Sequence, residues 1–473
     1  MQQVKIKIGL ESHVQLNTKS KLFCACSAEQ GSSTEPNQNT CEICLGFPGS
    51  KPRLNKRAVE LAIQLATIMQ CKISHNSRFA RKIYFYPDLS KAYQTTQYDE
   101  PIAGPGKFTI ETSNKSEKTI RITRAHLEED PGKVEYVGGH IGTASGVLVD
   151  YNRSGIPLCE VVTEPDFTAI SEAVTYVKKL FEILSYVGII DPNREGSMRT
   201  DANISIEGGE RVELKNISGS DALEKALKAE LSRQIFLKTR GDKITRETRM
   251  YSEETETTIL LRKKEQEEDY GYIYEPDLLP IELNSVDIEN AIEGMKRLPT
   301  EVYEEILAKY KLAPQIATPL AFKRGLYEYF EKCLAIYKNP ENLAKWLVGD
   351  FLKCANWHNY EIETCPKEEN FLELMFAIES KKITEREAKE LIKKMFDDPE
   401  KKLNELSKQE GEASLDINKI ILEVIAENKE TIDKIKAGDE KSINFLVGQV
   451  LRKTNFKADP KETMEKIKKM INS

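Results

Sequence analysis

The sequence predicts an α+β protein: an N-terminal domain built on a mostly antiparallel β-sheet with a few helices, then an all-helical C-terminal half. Three observations carry this. Segments of alternating apolar and polar residues recur through roughly the first 290 positions, three stripes of helical periodicity interrupt them, and past Glu275-Pro-Asp-Leu-Leu-Pro280 only helical periodicity with interleaved Lys and Glu remains. A chain of 473 residues exceeds what one hydrophobic core supports. Domains are expected at 1–290, 291–410 and 411–473, the last opened by a Gly/Ser break at 411–414.

In chain order, Val4, Ile6, Ile8 and Leu10 alternate with polar residues and predict a strand continuing through Gln15. A helix is expected over 61–69. Val174, Val177, Leu180, Ile183, Leu184 and Val187 recur at helical spacing and predict a second, with Thr168 or Ser171 as its cap. Positions 201–206 and 211–215 alternate and predict two adjacent half-buried strands, which favours antiparallel pairing. A third helix is expected from Ser220, as cap, to Gly241, as its left-handed stop. The second half reads as helices at 301–310, 314–337, 341–355, 371–379, 385–396, 417–427, 442–452 and 460–470.

Composition narrows the function classes. No apolar run approaches bilayer length, which excludes membrane insertion, and the opening residues read as a strand and not as a leader, so a cytoplasmic location is expected. With 76 acidic against 69 basic residues and a net charge of −7, nucleic acid could be held only through a local basic face. Arg452, Lys453, Lys457, Lys461, Lys466, Lys468 and Lys469 supply such a concentration near the C-terminus.

Nine cysteines without a secretory segment suggest reduced thiols or metal ligands. Cys24-Ala-Cys26 and Cys41-Glu-Ile-Cys44 form two close pairs separated by a polar segment with little to pack, which suits a tetrahedral structural Zn²⁺. Four thiolates close the coordination sphere, so such a site braces the fold and leaves no position for substrate.

The chemistry-bearing residues lie elsewhere. Alternation puts Glu11, His13 and Gln15 on one face of the first strand, opposite its apolar residues. Glu128-Glu-Asp130 places three carboxylates before a turn, and Glu160 sits within the apolar run Leu158-Cys-Glu-Val-Val162, where it needs a cation or donor beside it. Several Glu and one His drawn together by a sheet suit Mg²⁺, the companion of nucleotide phosphates. The chain has no Gly-x-x-x-x-Gly-Lys-Ser/Thr loop, no Gly-x-Gly-x-x-Gly after a strand and no Ser-Lys amidase signature, so phosphates need another clamp. Arg81 and Lys82, beside Tyr84-Phe-Tyr-Pro87, offer one.

Longer strings carry more. Ile8-Gly-Leu-Glu-Ser-His-Val-Gln-Leu16, the cysteine pairs followed by Leu45-Gly-Phe-Pro-Gly-Ser50, Tyr84-Phe-Tyr-Pro-Asp-Leu-Ser-Lys-Ala-Tyr-Gln94, His126-Leu-Glu-Glu-Asp130, Asp150-Tyr-Asn-Arg153 and Gly196-Ser-Met-Arg-Thr-Asp-Ala-Asn-Ile204 together resemble the B subunit of the tRNA-dependent amidotransferase. The resemblance extends to Phe445-Leu-Val-Gly-Gln-Val450, similar to that family's C-terminal helical module. It implies ATP-dependent phosphorylation of the side-chain carboxylate of Glu-tRNA(Gln) or Asp-tRNA(Asn), amidation by ammonia from the glutaminase (the A subunit), and assembly with the small C subunit. It also implies a Mg²⁺ site at Glu11, His13, Glu129 and Glu160, where Mn²⁺ could substitute, and a phosphate-contacting Lys82 with Arg81 beside it. Two loops depart from the family pattern: Asn216-Ile-Ser-Gly-Ser220 stands for Asn-Leu-Asn-Ser-Phe, and Asp269-Tyr-Gly-Tyr-Ile-Tyr-Glu-Pro-Asp277 for Asp-Tyr-Arg-Tyr-Phe-Pro-Glu-Pro-Asp. The inserted domain of the archaeal paralogue, the E subunit, has no room between Glu160 and Leu279. A non-catalytic tRNA adaptor with a structural zinc is the competing class, and a ligase acting on a free small acid is a third.

Overall fold

The computed structural model describes residues 4–29, 35–138, 144–194, 196–263, 270–358, 362–407, 417–436, 442–454 and 460–472. The chain divides into two compact units, 1–298 and 299–473.

The first unit is organised around an eleven-stranded sheet. Its strand order is Thr257–Lys263, Glu247–Ser252, Val212–Ser218, Met198–Ile206, Ile6–Gln15, Pro157–Thr163, Glu117–Glu129, Tyr93–Thr96, Ala80–Ile83 and Gly271–Tyr274, with Gly106–Glu111 also paired to Glu117–Glu129. Among these strands all neighbours run antiparallel except Val212–Ser218 and Glu247–Ser252, which are parallel. The strand that opens the chain therefore lies in the middle of the sheet.

Strand alternation sorts the two faces. Ile8 and Leu10, Ala125 and Leu127, and Cys159 and Val161 all point to one side, where they join a core with the helices Lys56–Ile68, Ile170–Val187 and Ser220–Arg240. Helix Ile170–Val187 buries Val174, Tyr176, Val177, Leu180, Leu184 and Val187, and each such side chain removed from water contributes about 1.5–3 kcal/mol. The opposite side of the central strands carries the polar residues.

The expected helical stretches are present, the first running Lys56–Ile68 where 61–69 was expected, and Ser285–Glu293, Leu403–Ser407 and Lys429–Lys436 add to them; two N-caps differ from expectation. Ala169, not Thr168 or Ser171, is the N-cap of Ile170–Val187, and the orphan amides of Thr168 and Ala169 donate to the Glu172 carboxylate at 2.8 and 3.1 Å. Ser220 is the first helical residue and not a cap; Gly219, at φ 84°, precedes it. Gly241 ends that helix at φ 77°. One short strand, Ile281–Glu282, pairs with Asn76–Ser77 beyond Pro280, where only helix was expected.

Among its described residues the second unit contains helices and no strand. The stretch expected as one helix over 314–337 is two, Pro314–Phe322 and Leu326–Ile336, divided at Gly325. Gly325 has φ +76°, and a Cβ there would lie 2.6 Å from a methyl of Ile362. Buried apolar residues form two clusters, one spanning Val302 to Leu406 and the other Ile421 to Ile471. The break expected at 411–414 lies outside the described residues.

Candidate functional site

The central strands bring distant carboxylates and imidazoles onto one rung. His13 is directly opposite Glu160, and Glu160 is directly opposite His126 on the next strand. Three antiparallel neighbours thus present His–Glu–His in a row on the face away from the helices. Two residues along the third strand, Glu128 points to the same face. His13 Nδ1 lies 3.1 Å from Glu128 Oε1, His126 Nε2 3.4 Å from Glu160 Oε2 and 3.9 Å from Glu128 Oε2. Ligand atoms of His13, Glu128 and Glu160 all fall within 4.8 Å of one another, a spacing suited to one cation.

These groups line a cleft of about 310 Å³ together with Glu11, Lys82, Tyr84, Arg199 and Lys215. Glu11 occupies the adjoining rung, opposite Asp201, where its carboxylate accepts from Asn203 Nδ2 at 3.0 Å. Burial and the neighbouring carboxylates of Glu160, Glu213 and Asp201 raise its affinity for a proton, with Lys215 opposing. Glu160 behaves oppositely. Burial works against its ionisation, but His126, His13 and Lys82 hold its carboxyl well below the usual range. Burial also disfavours the imidazolium of His13, yet the hydrogen bond to Glu128 and the charges of Glu160, Glu128 and Asp201 lift it to about 10. A carboxylate that stays charged, as Glu160 does, is what a divalent ion requires, and the His13 ring has to release its proton to join it.

Lys82 comes from strand Ala80–Ile83, where it is opposite Gln94 and Tyr272, both in the cleft lining. Its ammonium lies 4.6 Å from the ring centre of Tyr270 and 5.7 Å from that of Tyr84. Such aromatic contact holds a lysine in place without neutralising it.

Arg81 and Glu129 are placed elsewhere. Alternation turns both to the other side of the sheet, into a second cleft of about 290 Å³ shared with Lys91, Tyr93, Cys24 and Cys44. There Arg81 donates to both oxygens of Glu275 at 2.7 Å and lies over the ring of Tyr93. Glu129 accepts from Lys91 Nζ at 2.5 Å and the Thr95 amide at 2.7 Å. The structure therefore gathers Glu11, His13, Glu160 and Lys82 and sends Glu129 and Arg81 to the opposite face. Glu128, offered by the sequence as one of three carboxylates before a turn but not chosen as a ligand, and His126, quoted only within a family string, stand in the cleft instead. The period of two that grouped Glu11 with His13 groups His126 with Glu128, so the signal was available.

The four cysteine sulfurs also converge: Cys24, Cys26, Cys41 and Cys44 place them within 4.8 Å of one another. Lys21 stands beside this cluster, which could hold a metal ion. It is fully buried, donates to the Asn39 carbonyl at 2.8 Å and lies 3.7 Å from Cys44 Sγ. A buried ammonium offsets the excess negative charge of four thiolates around a divalent ion. Hydrogen bonding to Cys24 and Cys41 and the Lys21 charge, against burial, lower the Cys44 thiol to about 5. The same loop is pinned to the segment before Glu160's strand, with Asn37 and Asn39 amides donating to Asp150 and Asn152 side chains at 2.9 and 2.7 Å.

Of the basic tail residues, Arg452, Lys453, Lys468 and Lys469 are exposed, Lys453 pairs with Glu427, and Lys466 pairs with Glu462. Lys461 begins helix Pro460–Asn472 as its second residue, and Lys457 lies outside the described residues. Among the described residues no helix is long and apolar enough to cross a membrane.

Residues 6–289 match the family described as GatB/GatE catalytic domain, and residues 328–471 match the GatB domain. The B subunit of the aspartyl/glutamyl-tRNA(Asn/Gln) amidotransferase of Methanospirillum hungatei is 43% identical, with 100% of this chain and 99% of the relative covered. The proteins of the same name from Clostridium beijerinckii and Thermodesulfovibrio yellowstonii are 41% and 40% identical, over 98% of both chains and 99% of both chains respectively. Matched from end to end and in both of its parts, the chain belongs to the GatB/GatE family, alongside the B subunits of the tRNA-dependent amidotransferases.

Proposed function

We propose that this chain is the acyl-activating component of a glutamine-hydrolysing aminoacyl-tRNA amidotransferase, converting misacylated Glu-tRNA(Gln), Asp-tRNA(Asn) or both into the amidated forms. The single observation that supports this best is the rung of His13, Glu160 and His126 with Glu128 beside it, facing Lys82 across a polar cleft. A tRNA-borne carboxylate resists attack by ammonia because oxide is a very poor leaving group. One of its oxygens attacks the γ-phosphorus of ATP, the bond to the ADP oxygen breaks, and the acyl phosphate then loses phosphate as ammonia attacks its carbon. His13, Glu128 and Glu160, with Glu11 adjoining, would hold Mg²⁺, which would supply charge neutralisation at the phosphates. Lys82 supplies a fixed cation for the transferring phosphoryl, restrained by Tyr84 and Tyr270. Water has to be kept from the acyl phosphate, which it would otherwise hydrolyse.

The remaining parts follow from kinship. Ammonia comes from the glutaminase A subunit, with the small C subunit completing the assembly in the cytoplasm. The exposed Arg452, Lys453, Lys468 and Lys469 take tRNA phosphates, within a terminal domain beginning near 411 and distinct from the helical domain at 291–410. The four thiolates hold a structural Zn²⁺.

The test is ATP hydrolysis stimulated by Glu-tRNA(Gln) with free ammonia, in the reconstituted complex. Glu128→Gln and Glu160→Gln are each expected to lower the rate by about 100-fold or more, the scale of losing one preorganised electrostatic group. Rates equal to wild type would reject the catalytic reading in favour of an adaptor, and activity with unattached glutamate would indicate a small-acid ligase.

A further inference from the structure

We infer that His126 is a positioning residue for the ion-binding carboxylates: its ring donates from Nε2 to Glu160 and decides which carboxylate oxygen remains for the ion. The inference rests on the reading of His13, Glu128 and Glu160 as ligands, and it concerns a residue outside that trio.

His126 is 4% exposed and directly opposite Glu160 in the strand register. Its Nε2 lies 3.4 Å from Glu160 Oε2 and 3.9 Å from Glu128 Oε2. Its Nδ1 is buried and has no hydrogen-bond partner among the described residues. An imidazole donates through whichever protonated nitrogen has an acceptor in reach. Two carboxylates face Nε2 and no described residue bonds Nδ1, so Nε2–H is the donor. A protonated Nε2 has no lone pair for a metal. The ring is therefore a donor behind the ligands, engaging Glu160 Oε2 and leaving Oε1 to the ion. Donors behind ligating carboxylates fix their orientation and strengthen binding. On the strand across from Glu160, His13 differs by facing Glu128 through Nδ1, within the trio itself.

The test compares His126→Leu, which keeps bulk and removes the donor, with His126→Gln, whose amide can still donate. Mn²⁺ binding to the full-length chain is measured by titration calorimetry, with melting of the metal-free proteins as the control for folding. His126→Leu is expected to bind Mn²⁺ about 10–100-fold more weakly, whereas His126→Gln stays within about threefold of wild type. In the complex, the leucine variant is expected to raise the KM for Mg·ATP more than it lowers kcat. Wild-type affinity in His126→Leu, or equal losses in both variants, would overturn the inference while leaving the ligand trio intact. Glu128→Gln separates the two ideas: if it binds Mn²⁺ as wild type does, or if wild type binds none, the reading of the site fails and this inference fails with it.

Discussion

Glu275 is 5% exposed, and both its oxygens are engaged by Arg81. Glu275→Ala would strand a largely buried guanidinium. It is expected to destabilise the first unit by about 3 kcal/mol, read as a lower denaturation midpoint, with Arg81→Ala costing a similar amount. Neither should change metal affinity, because the pair faces away from the acidic cleft. Lys21 gives a second expectation. Lys21→Met removes the buried charge beside Cys44, so zinc affinity should fall about 10–100-fold in a competitive chelator titration while the protein keeps its fold in excess zinc. An unchanged affinity would show that the ammonium does not act on the thiolates. At this scale the sequence showed residue types well and their direction only where alternation was followed. Glu11 and His13 were grouped by strand phase and do share a cleft. Glu129 was chosen from a matching string, and strand phase sends it to Lys91 instead, with Glu128 facing the ligands. Lys82 and Arg81 are adjacent and for the same reason end on opposite faces.

At the level of elements, helix Ile170–Val187 shows how a terminus is held without a capping hydroxyl. Glu172 Oε2 accepts from the amides of Thr168 and Ala169 and from Lys118 Nζ at 2.7 Å. The bonds from Lys118, Thr168 and Ala169 outweigh burial and lower the carboxyl below its ordinary value. The sign follows directly. A carboxyl depressed in the folded state contributes fully above its unfolded pKa and loses that contribution as pH falls through the folded value. Glu172→Gln is expected to cost about 1 kcal/mol at pH 7, and the gap to wild type should close under acid conditions, as followed by urea denaturation. A gap that persists unchanged at low pH would contradict the assignment. Gly325 is the other element-scale constraint. Gly325→Ala meets both a left-handed φ and Ile362, so it should destabilise the helical unit by more than about 1 kcal/mol. Helix positions were legible because their apolar stripes span several turns. Caps and breaks were less so: the Glu172 bonds depend on backbone direction, and the left-handed Gly325 lies against Ile362, which is distant in sequence.

For the whole molecule, the sheet order explains why a site assembled from residues 11, 13, 82, 128 and 160 is opaque to local reading. The opening strand is flanked by Pro157–Thr163 and Met198–Ile206, both far along the chain. Half-burial of single strands was readable, but neighbours were not. The division into a sheet unit and a helical unit was legible from the change in periodicity; its position at 298/299 falls slightly beyond the expected 290. Removing residues 411–473 is expected to weaken tRNA binding and flatten its salt dependence by about 0.7–0.9 in log–log slope for each phosphate no longer engaged, with ATP binding retained. Unchanged tRNA affinity would place recognition elsewhere.

The central claim is that one divalent ion sits between His13, Glu128 and Glu160. It is tested most directly by anomalous diffraction from a crystal of the complex grown with Mn²⁺ and a non-hydrolysable ATP analogue. The expected result is a manganese peak bonded to those three side chains, with the terminal phosphate between it and Lys82. A peak beside Glu129 on the other face of the sheet, or phosphates bound away from the acidic cleft, would contradict the account.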